Sequence, residues 1–358
     1  MVDREAIALL TQSARDFLTR KCPVGRIRTL RDQDLGWDKA LWQAMSDLGW
    51  GGVAVPEENG GVELGFGAQC ALLEEAGRQL VPEPLITNAI SARILMESRQ
   101  DATGPWLEGI ASGLKVVAFA VEEPDVRFHR LASISTRVDR GALSGLKHHV
   151  PHGYGADAFL VTAHDELGPG LFLVERSYDH MAWSRQRRVD GRNAARVLFE
   201  GAPAIRLGGA ATVWHAYEIA AVAIASETLG AAERAFEITL DYLKTREQFG
   251  QKIGTFQALQ HRAARLFIEL SLLRSSVRAA AVAVDDDPSA LPHLASLAKA
   301  LADDTARLVT NEAIQMHGGI GVTDEHDIGL YLKRARASAV AFGDAPYHRR
   351  LWASLRGF

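Results

Sequence analysis

The chain has 358 residues, of which 47% are apolar and 23% are charged, and its formal net charge is -4. This composition is typical of a folded globular protein, and nothing in the charge balance suggests a nucleic-acid partner, which would need a concentrated positive face. Two cysteines are too few for a disulfide framework and suit a reducing compartment, so we expect a cytoplasmic protein. The opening MVDREAIALL lacks the basic region and long apolar core of a secretory signal, and Glu218, Glu227 and Glu233 interrupt the longest apolar stretch, 209–235, so no membrane span is expected.

The N-terminal segment is predicted to be helical. Apolar residues recur at helical spacing in DREAIALLTQSARDFLTRK (3–21) and again in WDKALWQAMSDLGW (37–50). A Gly- and Pro-containing loop, GGVAVPEENGGVELGFG, then leads into a further helical pattern, AQCALLEEAGRQL. We therefore expect an N-terminal helical domain over residues 1–115.

The character of the sequence changes near residue 115. Short β-branched and apolar runs follow, among them KVVAFAVEEP (115–124), DAFLVTAH (157–164) and GPGLFLVERS (168–177), and Gly, Pro, Asp or His punctuates them. Such runs between turn residues are typical of strands. Residues 116–208 are therefore predicted to form a central β domain.

Long helical patterns return near residue 210, and a loop rich in aspartate and proline, DDDPSALP (285–292), separates two of them. Four successive long helices favour a bundle that buries its apolar faces inward. We therefore expect an α+β chain that ends in a helical bundle over residues 209–358. The helices are predicted at 211–245, 257–284, 292–317 and 324–341.

The first candidate binding stretch is KTREQFGQKIGTFQALQ, residues 244–260. Arg246 follows a long helix and offers a planar guanidinium that suits a phosphate, and the glycines at 250 and 254 let the backbone come close to a ligand. Phe249 and Phe256 are suited to pack on a flat ring. The residues alone equally fit an ordinary helix hairpin with a basic C-terminal residue and aromatic core residues.

The second candidate stretch is NEAIQMHGGIGVTDEHDIGLYLKRA, residues 311–335. Gly318, Gly319 and Gly321 join two helices, and a turn without side chains lets main-chain N–H groups meet an anion or the edge of a heterocycle. Gln315 lies about one helical turn before Gly318. The alternative interpretation is a glycine C-cap at a tight helix corner.

Taken together, the two stretches resemble the cofactor motifs of acyl-CoA dehydrogenases. Residues 41–78 are also similar to the opening domain of that family, and SGLKHHVPHGYGADAFLV (144–161) resembles part of its β domain. The resemblance covers nearly the whole chain. The pattern RxxFGxxIxxFQ is matched at Arg246, Phe249, Gly250, Ile253, Phe256 and Gln257, and QxxGGxG is matched at Gln315, Gly318, Gly319 and Gly321.

The resemblance implies an N-terminal helical domain, a β-barrel-like domain and a C-terminal four-helix bundle, with FAD as the cofactor. In the family, the Arg246 stretch of one subunit and the Gln315–Gly319 turn of its neighbour hold the adenine and pyrophosphate end of FAD. Arg246 would contact the pyrophosphate, and Gln248 and Phe249 would lie against the cofactor. The expected cofactor-binding set is Arg246, Gln248, Phe249, Phe256, Gln257, Gln315, Gly318 and Gly319.

The resemblance also implies the reaction and its partners. The family removes the α-proton of an acyl-CoA thioester with a carboxylate base while flavin accepts the β-hydride. We expect an acyl-CoA substrate, an electron-transfer flavoprotein as acceptor, and either a homo-oligomer (dimer or tetramer) or a heterotetramer with a related subunit. Similar bacterial enzymes act in lipid or steroid side-chain catabolism.

Neither position at which the family places its glutamate base carries an acid in this chain. The position after the last bundle helix is Gly343, and the position used by a second subgroup, in the first bundle helix, is Ala220, followed by Ala221. These small residues suggest a roomy pocket for a bulky or branched acyl group. The resemblance is therefore to an atypical member of the family, one that lacks the usual catalytic glutamate.

Asp344 is the nearest acid to the usual base position, and two roles are open to it. As a base it would need a local rearrangement to point inward, because it is one residue displaced and shorter than glutamate. As an N-cap it would begin the final helix, PYHRRLWASL, with Pro346 in the first turn. Both roles together are a third possibility.

Other titratable residues are weaker candidates. On a helix, Glu218 points about 200° away from Ala220, and Glu227 lies about two turns beyond it, so each is expected to be an ordinary polar or ion-paired residue. A histidine with an ordinary pKa titrates near neutral pH, so His348 is a possible acid or base, but a histidine among C-terminal arginines is more often simply solvated.

The β domain also departs from the family pattern. The family's TEPxxGSD loop reads EEPDVRFHR here (122–130), and its ITN reads VPH (150–152). Pro151 has no N–H to donate, so the contacts that the family makes to the flavin ring at this point are expected to differ.

Three functions remain open on the sequence. The first is FAD-dependent α,β-dehydrogenation of an acyl-CoA with Asp344 or another displaced acid as base. The second is a non-catalytic subunit of a heteromeric acyl-CoA dehydrogenase whose partner carries the base. The third is a flavin monooxygenase or oxidase on the same fold, since fold does not fix function.

Overall fold

The computed structural model describes residues 4–98, 100–124 and 131–358 of the chain. These residues form two compact units. The first contains Ile27–Gln69 and Pro82–Ala220, together with the described residues up to Ile7. The second contains Ala8–Arg26, Cys70–Val81 and Ala221–Phe358.

The N-terminal third of the chain is helical, as its periodicity predicts. Asp38 caps the third helix because its Oδ1 accepts the backbone N–H groups of Ala40 at 2.8 Å and Leu41 at 3.2 Å. The helices are α1 (Arg4–Lys21), α2 (Ile27–Leu30), α3 (Lys39–Asp47), α4 (Gly65–Arg78), α5 (Leu85–Ser98) and α6 (Gly104–Ala111).

A mixed sheet follows, at the place where the sequence becomes rich in β-branched and apolar runs. Its strands are β1 (Val117–Ala120), β2 (Arg137–Asp139), β3 (Ala142–Pro151), β4 (Ala158–Asp165), β5 (Gly168–Glu175), β6 (Met181–Arg187), β7 (Asn193–Pro203) and β8 (Ile205–Gly208). The order is β6-β7-β3-β2-β4-β5-β8, and β1 pairs with β4.

Strand β4 lies at the centre of this sheet. It pairs in parallel with β1, with Val117 opposite Ala158, and antiparallel with β5, with Ala158 opposite Glu175. Its run from Ala158 to Ala163 is completely buried, which explains why this strand reads as a continuous apolar stretch rather than an alternating one. Phe159 and Phe199 meet edge-on in the core beside it, with ring centroids 5.7 Å apart.

The C-terminal part of the chain is again helical. The helices are α7 (Ala210–Thr245), α8 (Gln257–Asp286), α9 (Leu291–His317), α10 (Ile328–Ala339) and α11 (Ala345–Leu355), and a two-stranded hairpin of β9 (Glu247–Gln248) and β10 (Gln251–Lys252) lies between α7 and α8. Helix α9 packs against α8, α10 and α11. The predicted helix at 324–341 is shorter than expected, because a turn persists until Asp327.

Two glycines allow α4 and α7 to pack closely within the second unit. A Cβ added to Gly77 would lie 1.9 Å from the backbone oxygen of Glu227, and one added to Gly230 would lie 1.8 Å from that of Glu74. Any side chain at either position would force the helices apart. The fold positions α7 through this contact.

The architecture confirms the predicted α+β class, with N-terminal helices, a central mixed sheet and C-terminal helices. In the described ranges, each helix is too short or too polar to traverse a lipid bilayer. Nor do the described residues contain a group of three or more His, Cys, Asp or Glu side chains arranged to hold a metal ion.

Candidate functional site

The stretch that contains Arg246 forms a small exposed hairpin. Gln248 pairs with Gln251 and Glu247 with Lys252, so Phe249 and Gly250 make a two-residue turn in which both have positive φ, 56° and 77°. This is the backbone that tight hairpins prefer, but it is unusual for a bulky residue such as phenylalanine. The Phe249 side chain is 91% exposed at the tip, so the alternative that it is a core residue is wrong.

The remaining predicted residues of this stretch lie around the hairpin. Arg246 is exposed, and within the described part of the chain its guanidinium forms no ion pair. Phe256 is half-buried, with its ring centroid 6.1 Å from that of Phe249, and Gln257 is exposed at the start of α8. The hairpin therefore presents a cation, two aromatic rings and amide side chains to its surroundings.

The glycine turn follows α9. Gln315 is exposed in the last turn of the helix, and Gly318 has φ 63° and ψ -140°. A Cβ added to Gly318 or Gly319 would meet nothing within 4 Å, whereas one added to Gly321 would lie 2.8 Å from the backbone oxygen of Ile314. Thus Gly321 is required by the fold of the turn, while the other two leave an open, side-chain-free surface.

The structure brings the hairpin and the glycine turn together within one chain. The hydroxyl of Tyr242 donates to the backbone oxygen of His317 at 3.3 Å, and the two rings stack with centroids 4.4 Å apart. Tyr242 lies one helical turn before Arg246, and its backbone oxygen accepts the backbone N–H of Arg246 at 2.8 Å. His317 directly precedes Gly318. The two stretches therefore lie next to each other within one protomer, and how they are shared between neighbouring subunits stays a prediction.

At the usual base position, the backbone is shaped for glycine. Gly343 is buried with φ 102°, and a Cβ there would lie 2.6 Å from Cδ1 of Tyr347 and 2.8 Å from Nε2 of His348. The preceding residue, Phe342, also has a positive φ of 56°. A glutamate at this position would therefore require the turn between α10 and α11 to change.

Asp344 is the N-cap of α11. Its Oδ1 accepts the backbone N–H of Tyr347 at 2.9 Å, and the helix begins at Ala345 with Pro346 in its first turn. The capping interpretation is thus what the geometry shows. The catalytic role of Asp344 stays a prediction.

A buried lysine lies beneath this turn. Lys299 Nζ donates to the backbone oxygens of Gly343 at 2.8 Å and Ala339 at 3.2 Å, and it pairs with Asp303 at 2.6 Å. Burial lowers the pKa of Lys299 and raises the pKa of Asp303 to about 7, because desolvation disfavours both charges. Helix α9 thereby holds the last carbonyl group of α10 and one carbonyl group of the α10–α11 turn.

His348 is the second anchor of the turn. Burial, with the nearby Lys299 cation, lowers its pKa to about 3, so the ring is neutral at ordinary pH. Its Nε2 lies 2.9 Å from the backbone oxygen of Phe342, and since a carbonyl only accepts, this nitrogen carries the proton. The expectation that His348 is solvated is wrong, because the side chain is only 4% exposed.

The second family base position lies in α7. Ala220 and Ala221 are both buried. Glu218 contacts His215 Nδ1 at 3.2 Å, and His215 Nε2 lies 2.7 Å from Glu97. These two hydrogen bonds raise the pKa of His215 to about 9, so Glu218 belongs to a carboxylate–imidazolium group of the first unit.

Glu227 belongs to a separate buried pair in the second unit. Its Oε1 lies 3.3 Å from Nη1 of Arg334, and Nη2 of Arg334 donates to the backbone oxygen of Leu80 at 3.1 Å. Both Glu218 and Glu227 are therefore ion-paired, as the sequence suggested for ordinary helix acids.

The β-domain residues near the expected flavin ring form a well-bonded group. Pro151 ends β3 opposite Ala194, and His152 is buried with its ring nitrogens 2.6 Å from Thr87 Oγ1 and 2.8 Å from the backbone oxygen of Pro82. Of the predicted loop 122–130, residues 125–130 lie outside the described residues.

Glu123, in the described part of that loop, is held by four donors from Ser135 and Thr136 and by Lys147 Nζ at 2.8 Å. Lys147 is fully buried and also contacts Thr162 Oγ1 at 3.0 Å. Desolvation opposes the charge on Glu123, but the Lys147 cation and these hydrogen bonds outweigh it and lower the Glu123 pKa to about 2. This group fixes the base of the loop to the sheet.

Sequence reasoning missed Tyr242, His317 and Lys299. A tyrosine and a lysine inside long helices are ordinarily predicted to be surface residues. The tertiary contacts that Tyr242 and Lys299 make cannot be predicted from the hydrophobic periodicity of the helices. The position of His317 directly before the paired glycines was the one available signal.

Comparison with known protein families gives two matches. Residues 4–114 match the acyl-CoA dehydrogenase N-terminal domain, and residues 208–354 match the acyl-CoA dehydrogenase C-terminal domain. Together these matches cover most of the chain, including both cofactor-motif stretches and both family base positions.

Individual relatives agree with this assignment. Acyl-CoA dehydrogenase IpdE2 of Mycolicibacterium smegmatis is 30% identical over 94% of this chain and 94% of its own length. The solved structure of a Tcur3481-Tcur3483 steroid ACAD variant is 32% identical, with a TM-score of 0.92 over 99% of this chain and 98% of its own. The ChsE4-ChsE5 complex from Mycobacterium tuberculosis is 26% identical, with a TM-score of 0.88 over 99% and 98% of the two chains.

Proposed function

The chain belongs to the acyl-CoA dehydrogenase family, and on that premise we propose that it binds FAD and takes part in the α,β-dehydrogenation of an acyl-CoA thioester. The observation that carries this proposal is the exposed pair formed by the Arg246 hairpin and the Gln315–Gly319 turn, which we name the dinucleotide clasp. Electrons would pass to an electron-transfer flavoprotein.

The dinucleotide clasp fits one end of FAD in its chemistry. Arg246 offers a guanidinium without an ion pair among the described residues, which suits a pyrophosphate. Gly318 and Gly319 leave open space in which a flat ring can approach the backbone. When bound, FAD supplies the hydride acceptor that no side chain can provide. Gln248, Phe249, Phe256, Gln257 and Gln315 complete the proposed contacts.

An exposed clasp also supports an oligomer. Phe249 is 91% exposed, and α8 carries exposed Phe267, Ile268 and Leu272 at 60%, 58% and 55% on adjacent turns. Large exposed apolar side chains that are grouped in this way more often mark a surface that contacts another protein than a surface that stays in contact with water. We propose that one protomer presents both halves of its clasp to a neighbouring protomer, in a homodimer, a homotetramer or a heterotetramer.

Within this function, Asp344 is the proposed base of the chain itself. Its carboxylate lies one residue after the family position and is half-exposed, and only one of its oxygens is used in the cap. The capping contact orients the side chain, which a base requires, but it also limits how far the carboxylate can move.

A specific observation favours a second candidate, in which another subunit supplies the base. Gly343 has no room for a glutamate, Asp344 is a cap, and Glu218 and Glu227 are ion-paired. Two of the similar solved structures bear two-component names. In this alternative the chain is a non-catalytic FAD-binding or structural subunit of a heteromeric acyl-CoA dehydrogenase.

The acyl group is proposed to be bulky or branched. Ala220 and Ala221 are small residues at positions where some family members carry larger side chains, whereas Gly343 adds no space, because a Cβ there would lie 2.6 Å from Cδ1 of Tyr347. One similar solved structure is named as a steroid enzyme. A role in lipid or steroid catabolism follows from this proposal.

The test begins with the purified chain. We expect a yellow protein whose flavin absorbance bleaches anaerobically on addition of an acyl-CoA, across a series of straight, branched and steroid-derived thioesters. Arg246→Ala should weaken FAD binding, and Arg140→Ala, which changes an exposed arginine of a β turn, is the matched control. A colourless protein that takes up no added FAD would refute the proposal.

The two candidates for the base are separated by one further measurement. If Asp344 is the base, Asp344→Asn should bind FAD but bleach at least about 100-fold more slowly. If another subunit supplies the base, the wild-type chain alone will bind FAD and not bleach, and co-expression with a related subunit will restore bleaching. Oxygen consumption without an added electron acceptor would instead indicate a flavin oxidase or monooxygenase.

A further inference from the structure

Three aromatic rings lie in or next to the dinucleotide clasp, and one of them, His317, is within its Gln315–Gly319 turn. Tyr242 belongs to the last turns of α7, His317 ends α9, and His326 precedes α10. The His317 ring stacks on Tyr242 with centroids 4.4 Å apart and an interplanar angle of 28°, and it meets His326 at 4.6 Å and 53°. We name these three residues the ring stack.

Hydrogen bonds fix the orientation of the central ring. His317 Nδ1 lies 2.7 Å from the backbone oxygen of Ala313, which can only accept, so Nδ1 carries the hydrogen. The side chain is 3% exposed, and burial lowers its pKa, which keeps the ring neutral with a lone pair on Nε2. Tyr242 Oη adds a hydrogen bond to the backbone oxygen of His317.

The stack is connected to both halves of the clasp by very short paths. The backbone oxygen of Tyr242 accepts the N–H of Arg246, and the oxygen of Arg246 accepts the N–H of Ile253 across the hairpin at 2.9 Å. His317 is bonded to Gly318. On the far side of the turn, His326 Nδ1 accepts the N–H of Ile328 at 3.1 Å. Moving one half of the clasp without the other would therefore separate the stacked rings.

We propose that Tyr242 and His317 are positioning residues that hold Arg246 at a fixed place relative to Gly318 and Gly319, and so preorganise the clasp for a dinucleotide. This inference rests on the proposed FAD function and adds to it the residues through which the two halves are coupled. Neither residue needs to touch FAD. Their effect is to remove the cost of ordering two separate segments when the ligand binds.

Two substitutions divide the contact into its parts. Tyr242→Phe keeps the ring and removes the hydrogen bond to the oxygen of His317, and it should weaken FAD binding about three-fold. Tyr242→Leu removes the ring as well, and it should weaken FAD binding about ten-fold or more. FAD affinity is measured on apoprotein by quenching of FAD fluorescence, with helix content and thermal unfolding recorded for each variant.

A matched control removes an aromatic contact elsewhere. Tyr178 packs on Trp183 with ring centroids 5.1 Å apart in the first unit, and Tyr178→Leu should leave FAD affinity unchanged. The decisive comparison is the double variant Tyr242→Leu/Arg246→Ala. Because the ring stack acts through Arg246, the loss in the double variant should be clearly smaller than the product of the two single losses.

Each outcome bears on the inference in a defined way. If the wild type binds FAD and a folded Tyr242→Leu variant binds it with equal affinity, the inference is overturned and the proposed function remains intact. Losses that multiply fully in the double variant would also overturn it, because Tyr242 would then act independently of Arg246. If Tyr242→Leu fails to fold, Tyr242→Phe carries the same test, and a wild type without FAD affinity removes the proposed function itself.

Discussion

Replacing Gly343 tests whether the chain could carry the family glutamate at its usual position. Gly343 has φ 102°, and an added Cβ would lie 2.6 Å from Tyr347 Cδ1 and 2.8 Å from His348 Nε2. A backbone in this region costs a non-glycine residue about 1–2 kcal/mol. Overpacking adds about 1–3 kcal/mol. The half-buried Tyr347 can shift to make room for the added Cβ, but His348 cannot do so easily, because its ring is held by the backbone oxygen of Phe342.

We therefore expect Gly343→Ala to lower the free energy of unfolding by about 2–5 kcal/mol. Gly343→Glu should cost at least as much and should not speed flavin bleaching by an acyl-CoA. Gly357→Ala is the matched control, since Gly357 lies at the other end of α11 with φ 84° and a Cβ there would meet nothing within 4 Å. It carries the backbone cost without the contact cost.

Urea unfolding followed by circular dichroism measures the three variants against the wild type. The difference between Gly343→Ala and Gly357→Ala isolates the contact with Tyr347 and His348 and should be about 1–3 kcal/mol. Equal costs for the two alanine variants would contradict the reasoning. So would a Gly343→Glu protein that unfolds at the wild-type urea concentration, because the turn would then accept the family base.

Three further predictions concern individual side chains. Asp344→Ala should lower the free energy of unfolding by about 1 kcal/mol, whereas Asp344→Asn, which keeps a capping oxygen, should lower it by only a few tenths of a kcal/mol. Thermal unfolding compares the two variants, and equal losses would show that the cap is unimportant. His348 has a pKa of about 3 in the folded state and 6.5 in the unfolded state. Between these two pH values the unfolded state therefore binds more protons than the folded state. The wild type should lose up to about 1.4 kcal/mol per pH unit relative to His348→Gln as pH falls below 6.5; parallel stability–pH curves would refute this. Lys147→Met should lower the free energy of unfolding by about 3–5 kcal/mol, because it leaves the buried Glu123 carboxylate without its cation. In urea unfolding, the double variant Lys147→Met/Glu123→Met should recover part of that loss. A double variant that recovers none of it would show that the ion pair is not the cause.

The long helices could be located from the sequence because their periodicity is strong. Helices predicted at 257–284 and 292–317 are observed at Gln257–Asp286 and Leu291–His317. The weaker prediction at 324–341 starts too early, because the polar run TDEHD is compatible with a helix yet forms a turn. Charge and propensity alone do not distinguish these two states.

The hairpin at Arg246 could not be predicted in detail. Its strands have two residues each, which is too short for an alternating pattern. Its turn uses Phe249-Gly250 instead of the asparagine–glycine pair that usually signals such a hairpin. The motif indicates which residues are proposed to bind the cofactor, but the exposed tip that carries Phe249 is visible only in the structure.

The geometry around Gly343 depends on contacts that are distant in sequence. Lys299 is 44 residues from Gly343 and holds its oxygen, whereas a lysine in an amphipathic helix is ordinarily expected on the surface. The sequence showed that a glutamate is missing. It could not show that Lys299 and His348 hold the turn in a shape that excludes one.

This shape limits where a base can come from. If the glutamate had simply been exchanged for glycine, the turn would keep an ordinary backbone and space for the lost side chain. Instead Phe342 and Gly343 both have positive φ, and Lys299 and His348 hold two carbonyl groups of the turn and the last carbonyl group of α10. Under the proposed function, the two leading sources of the base are then Asp344 and a carboxylate of another subunit. Because asparagine preserves the cap, the Asp344→Asn variant separates these two sources without unfolding the turn that defines the question.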